Sequence, residues 1–197
     1  MDDIVVIENF FPLVVYREIL NKVHSSETRW FFKDKNLSHP IDYEIYKAQL
    51  QDVKIFENVK GFQSELYNDN MTDSDNRIKN VFTSYIEKQF NITVNHILRI
   101  NCNFIIPCSN FPSNSYMLPH TDVNIPHKTL IYYINDCDGE TVFFNRILDK
   151  EINYSGLTVE KKITPSKNKA VLFNGLRLHS SSPSQTILRK IINVNFT

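Results

Sequence analysis

The stretch LPHTDVNIPHKTLIYYINDCDGETVFFN, residues 118–145, decides the fold. Within and around it, short runs that alternate with a period of two are separated by turn residues: 116–122, 129–135 and 139–145 read as strands, with VNIPHK and NDCDGE between them. The rhythm continues in both directions. Residues 97–105 alternate upstream, and 158–163, 169–173, 177–180 and 187–196 do so downstream, punctuated by TPSKNK and SSSPSQT. About eight short strands after one helical region predict a mainly β chain with supporting helices (α+β), its core a double-sheet jelly roll.

The N-terminal half has a different texture. Ile4–Ile7 reads as a strand, and Phe11-Pro12 opens a helical pattern through Val15, Ile19, Leu20 and Val23. Trp30, Phe31 and Phe32, with Tyr43 and Tyr46, are expected to pack on a neighbouring sheet. From Asp73 to Phe90 the apolar positions Ile78, Val81, Phe82, Tyr85, Ile86 and Phe90 form one helical stripe, with Thr72 or Ser74 as N-cap. The 197 residues are therefore expected to form a single domain, 1–95 a helix-rich support and 96–197 the β core.

Composition narrows the function. Twenty-two Lys and Arg balance twenty-two Asp and Glu, which argues against nucleic acid or an anionic membrane as the main partner. Cys102, Cys108 and Cys137 are odd in number and form no CxxC pair, as expected of thiols in a reducing compartment. The opening MDDIVVIENFF is acidic where a signal peptide is basic, and no apolar run approaches a membrane span, so the expected location is the cytoplasm.

His120 and Asp122 stand at i and i+2, which on a strand places two metal-ligand types on one face. Imidazole and carboxylate donors favour Fe(II) or Mn(II) over a thiolate-bound metal. His179, in an apolar strand of the second sheet, could complete a two-histidine, one-carboxylate face. Ten residues on stands Arg189, whose planar fork, once buried, matches a carboxylate best. By alternation Tyr116, Leu118, His120 and Asp122 share the inward face with Thr129, Ile131 and Tyr133, and with Arg189, Ile191, Asn193 and Asn195. His127, beside Pro126, reads as a loop residue and not an extra ligand.

These segments together, LPHTDVNIPHKTLIYYIND and DGETVFFN, ITPSKNKAVLFNGLRLHSSSP, and ILRKIINVNF, resemble the catalytic core of the Fe(II)- and 2-oxoglutarate-dependent dioxygenases, the prolyl 4-hydroxylase-like branch most of all. The resemblance covers roughly residues 97–197 and implies a double-stranded β-helix. It also implies that His120, Asp122 and His179 hold iron, and that Arg189 pairs with the distal carboxylate of 2-oxoglutarate. Tyr133, with Thr129 near it, would bond the same end, Tyr116 would lie near the cosubstrate, and Asn193 would face the iron. The implied chemistry is hydroxylation of an unactivated C–H bond with O2, ascorbate serving as an accessory reductant. A peptidyl proline or a small amino-acid-like molecule would be the substrate. The rival expectation is a non-catalytic, cupin-like jelly roll that holds a metal or small acid. Arg189 stands where prolyl hydroxylases often carry lysine. The glycine-rich loop common before the first histidine is replaced by Cys108–Asn114, and the N-terminal half aligns with nothing in the family.

Overall fold

The computed structural model describes residues 4–33, 54–55, 59–69, 76–112, 115–149 and 154–197. Tyr43, Tyr46, Thr72 and Ser74 lie outside the described residues. In chain order the elements are β1 (Val5–Ile7), α1 (Leu13–Val23), β2 (Phe31–Lys33), β3 (Lys54–Ile55), β4 (Gly61–Asn68), α2 (Asn76–Phe90), β5 (Ile97–Ile105), β6 (Ser115–Tyr116), β7 (Lys128–Tyr133), β8 (Thr141–Ile147), β9 (Val159–Ile163), β10 (Lys169–Asn174), β11 (Arg177–Ser181) and β12 (Arg189–Phe196). No helix among the described residues is long and apolar enough to cross a membrane.

A seven-stranded antiparallel sheet runs β1-β10-β7-β12-β5-β4-β2, and a three-stranded one runs β11-β8-β9. The two face each other as a jelly roll. On the large sheet, alternate residues divide cleanly between two cores. Leu130, Tyr132, Ile192, Val194, Ile100 and Cys102 turn outward, where Ile19 and Val23 of α1 and Ile78, Phe82 and Ile86 of α2 cover them. Ile131, Tyr133, Val171, Phe173 and Ile191 turn inward to meet Phe143 and Ile163 of the small sheet. A one-residue slip of any central strand would exchange these sets, so burial on both faces fixes the register.

Phe10 and Phe11 wedge between the helices and the sheet; the Phe11 ring sits 5.3 Å from Phe82 and 5.0 Å from Tyr132. Asn168, in the left-handed region with φ 63°, holds this wedge just before β10. Its carboxamide accepts from the Phe11 amide at 3.0 Å and the Tyr132 hydroxyl at 3.0 Å, and donates to the Phe11 carbonyl at 2.7 Å. The ring of Trp30 packs 4.2 Å from Phe104, as expected of an aromatic on a sheet, whereas Phe31 and Phe32 on β2 are exposed.

Two segments depart from the sequence reading. β4, an eight-residue strand beside β5, was not anticipated: its pairing shifts between Glu65 and Tyr67, and that bulge breaks the period of two. The stretch 116–122 is not a continuous strand. It forms only the end of β6 and one isolated bridge, His120 to His179, because Pro119 in its middle has no N–H for a ladder. Leu118 accordingly turns away from His120 and joins Tyr116, Val142, Phe144 and Leu178 on the outer face of the small sheet.

Candidate metal centre and carboxylate pocket

The isolated bridge is what brings the first histidine to the second. His120 and His179 exchange main-chain hydrogen bonds of 2.8 and 3.0 Å, and their rings lie 4.8 Å apart. Asp122, two residues on, completes a group whose ligand atoms all lie within 4.8 Å of one another. Each imidazole is turned by its own Nδ1: that of His120 bonds the Leu118 carbonyl at 2.9 Å and that of His179 the Arg177 carbonyl at 3.1 Å. Nδ1 as donor leaves Nε2 as the lone-pair nitrogen of each ring, the arrangement a metal-binding histidine needs. Nε2 of His179 is 4.0 Å from Oδ2 of Asp122.

The protonation states suit the same task. Burial, with the like charge of His120, lowers the His179 pKa to about 4, so the imidazole is neutral at pH 7. Burial pushes the Asp122 carboxyl up, but His179, His120, Arg99 and a hydrogen bond from Asn195 outweigh it and hold it below the ordinary value. A neutral imidazole and an ionised carboxylate are ready donors without loss of a proton.

Asp122 is held from behind by β5 and β12. Asn195 donates to its Oδ2 at 3.0 Å and to Thr129 Oγ1 at 2.9 Å; Arg99 donates to Asn195 Oδ1 at 2.8 Å and to the Asp122 carbonyl at 2.8 Å. Thr129 thus belongs to the metal end. The sequence reading placed it with Tyr133 at the far end of the cosubstrate, but the two residues stand four apart on one strand, about 13 Å at strand rise. His127 packs its ring against Gly175, where an added Cβ would lie 2.1 Å from Nε2, and that nitrogen is 3.2 Å from Thr129 Oγ1. It is not one of the grouped ligand residues.

The far end is built around Arg189, one of the largest side chains among those fully buried. Its Nε donates to the Gly139 carbonyl at 2.9 Å and its Nη2 to Thr141 Oγ1 at 2.7 Å, while Nη1 is buried with no protein partner. Tyr133 donates to the same Thr141 oxygen at 2.7 Å, with its ring 5.9 Å from the guanidinium. Burial pushes the Tyr133 phenol up to about 12, against the pull of Arg189, so it stays a neutral donor. Burial also lowers the Arg189 pKa. An unpartnered N–H on a buried cation costs about 1–3 kcal/mol or more, and a carboxylate would remove that cost.

One cavity joins the two ends: His120, His179, Thr141, Arg189, Ile131 and Asn193 line it, together with Gly61, Phe62 and Gln63 of β4. Tyr116 is absent from this lining. It is buried against Phe144, ring centroids 6.0 Å apart, with the Lys162 ammonium 5.2 Å over its ring, on the other side of the small sheet. Asn193 does line the cavity, with its Oδ1 buried and unpartnered. Thr141, Arg99 and Asn195 carry the site without having been given roles from sequence; the Gly-Glu-Thr turn and the alternation from Arg189 to Asn195 were the available signals.

No protein-family model and no curated protein matches the sequence. Solved structures do match the fold. A prolyl hydroxylase of Trichoplax adhaerens, in complex with a hypoxia inducible factor degradation-domain peptide, is 14% identical, with all of this chain and 84% of that one covered and a TM-score of 0.55. HygX from Streptomyces hygroscopicus, with nickel and 2-oxoglutarate bound, is 10% identical over 98% of this chain and 82% of its own, at 0.56. A non-haem α-ketoglutarate-dependent epimerase of nogalamycin biosynthesis is 9% identical over 100% and 78%, at 0.58. The chain therefore has the jelly-roll fold found in 2-oxoglutarate oxygenases, prolyl hydroxylases among them.

Proposed function

We propose that the protein is an Fe(II)- and 2-oxoglutarate-dependent dioxygenase that hydroxylates an unactivated C–H bond. What carries the reading is one conjunction: three ligand atoms of the right types within 4.8 Å, and in the cavity that His120 and His179 line a buried guanidinium with a free Nη1. His120, Asp122 and His179 would hold the iron, and Arg189, with Thr141 and Tyr133 behind it, the distal carboxylate of 2-oxoglutarate. When bound, iron, 2-oxoglutarate and O2 supply the oxidising power, with succinate and carbon dioxide released and one oxygen atom left as hydroxyl on the substrate.

The chain's own contribution is position and dryness. Arg189 and Thr141 fix one end of the cosubstrate at a set distance from the triad, and Ile131 and Ile191 form an apolar wall between them. Asn195 and Arg99 hold Asp122 in one orientation. A carboxylate at that position favours hydroxylation over halogenation, for which halide would need the space. The substrate is a peptidyl proline or a small amino-acid-like molecule, and the place of work is the cytoplasm, in keeping with three free thiols.

Succinate release from 2-oxoglutarate with Fe(II) and ascorbate under air tests the reading. The wild type should turn over and Asp122→Ala should not; full turnover by the variant would reject the metal centre. Binding of Mn(II) and 2-oxoglutarate without succinate, under any substrate tried, would favour a non-catalytic jelly-roll binding module.

A further inference from the structure

The inner face of the large sheet is apolar on one side and polar on the other. Where the small sheet covers it, β7 and β10 present Ile131, Val171 and Phe173. Where β12, β5 and β4 continue beyond that cover, the inward positions become Asn193, Asn101, Asn103 and Gln63. Cross-strand register places them in two neighbouring rows. Glu65, Asn101, Asn193 and Ile131 form one; Gln63, Asn103, Ile191 and Tyr133 form the other. The first row lies between the row of Arg99, Asn195 and Thr129, which holds Asp122, and the row that carries Arg189. The carboxamides therefore stand beside the line joining the metal ligands to the cosubstrate anchor, about 4.8 Å from strand to strand.

Two of these carboxamides keep an acceptor that the fold does not satisfy. Asn101 is 7% exposed, and both its Oδ1 and that of Asn193 are buried with no hydrogen-bond partner. Asn103, Gln63 and Asn193 line the cavity that contains His120 and His179. Two unpaired buried acceptors side by side carry a desolvation cost that leucine, of the same branched outline, would not, about 1–3 kcal/mol each. Tyr132 and Asn168 show the contrast, since on the outer face each polar group of a comparable pair is bonded. The lining also includes Lys33 and Lys60 and no aspartate or glutamate among the described residues, and Glu65, on the same row, is exposed and accepts from Asn68 at 2.8 Å.

We infer that Asn193, Asn103 and Gln63, with Asn101 backing Asn193 in its row, form the surface that reads the substrate. On this inference the substrate presents N–H or O–H donors next to the carbon that reacts: a neutral amide or polyol, not a hydrocarbon and not a cation. The inference rests on the dioxygenase reading for the reaction, but the carboxamide geometry stands without it. Asn193, which lines the cavity, accepts from the substrate, and Asn101 stands next to it across the β12–β5 ladder. Asn103 and Gln63, in the neighbouring row, can both donate and accept.

Two measurements on the full chain test it. Thermal melting of Asn101→Leu and Asn193→Leu should give a Tm equal to or above wild type, because an unpaired acceptor is replaced by a packed side chain; a clear drop in both would make the carboxamides structural and overturn the inference. Succinate release is then followed with three probes: N-acetylated, C-amidated prolyl tripeptides, neutral polyols, and alkylammonium ions. Stimulation by an amide or a polyol, whichever is the source of the donors, with a KM raised about tenfold or more in Asn193→Leu while Mn(II) and 2-oxoglutarate affinities hold, supports it. Stimulation by the cations alone, unchanged KM in both variants, or silence from every donor-bearing probe overturns it. If the wild type binds neither Mn(II) nor 2-oxoglutarate, the dioxygenase reading fails, and the melting result still decides what the carboxamides are for.

Discussion

Asn195 donates through Nδ2 to Oδ2 of Asp122 at 3.0 Å, and its own Oδ1 is held by Nε of Arg99 at 2.8 Å. A residue of the last strand thus fixes the one anionic ligand of the candidate metal centre, and a residue of β5 fixes that residue. Because Arg99 also donates to the Asp122 main-chain carbonyl, the carboxylate is oriented at both its side chain and its backbone.

Replacing Asn195 by Leu keeps the branched four-atom outline and removes the bond to Asp122. The expected outcome is a fall in Mn(II) affinity of about 10- to 100-fold, the usual cost of losing a partner of a metal ligand. Titration calorimetry with Mn(II) measures it, and an affinity equal to wild type would show that Asp122 needs no such support.

Arg189→Met separates the two ends of the cavity. Removing the guanidinium takes away the free Nη1 and the bonds to Gly139 and Thr141, but touches none of the three metal ligands. Mn(II) should bind as before, and 2-oxoglutarate affinity should fall by about 2–5 kcal/mol, the loss typical of a buried hydrogen-bonded ion pair. Thr141→Val should cost about tenfold, as a hydrogen bond to a charged group does. Retained 2-oxoglutarate binding in Arg189→Met would place the cosubstrate elsewhere.

The strands that carry this site were legible in the sequence because both their faces are buried: 97–105 is β5 as read, and 169–173 and 187–196 differ from β10 and β12 by two residues or fewer at either end. Alternation also placed Arg189, Asn193 and Asn195 on one face, which is how Asn195 comes to meet Asp122. The same logic failed at Tyr116 and Leu118, since alternation holds only along a continuous strand and Pro119 interrupts this one. Thr129 was misplaced for another reason: a shared face does not mean a shared end, and only the partner strand's register puts it opposite Asn195. β4 was missed because its inward residues are polar and a bulge shifts its phase.

Gly139→Ala probes how tightly the anchor is framed. A Cβ there would lie 2.7 Å from both the Ser182 carbonyl oxygen and the Ser184 amide nitrogen, and 3.0 Å from Cδ of Arg189. Two of the three neighbours are backbone and cannot swing aside, so the strain should cost about 1–3 kcal/mol. The expected outcome is a Tm lower by about 2–4 °C for each kcal/mol, with a raised KM for 2-oxoglutarate and unchanged Mn(II) affinity. A variant with wild-type Tm would mean that the turn relaxes freely.

Acid should weaken the metal-free fold through His179. Its folded pKa of about 4 lies below the ordinary histidine value of 6.5, so between those limits the unfolded chain binds a proton that the folded chain refuses. Stability therefore rises with pH across that window and is lost as pH falls through it, by at most about 3 kcal/mol from this group. Asp122, held below the ordinary carboxylate value, contributes stability that is present above that value and lost as pH falls through its own lower one. Urea unfolding of the chelated protein at several pH values between about 4 and 6.5 gives the slope, and His179→Gln, which has no titrating ring, should flatten it. The comparison is between slopes, so a general loss of stability in the variant does not disturb it, and a parallel slope in the two proteins would assign the acid sensitivity to other groups.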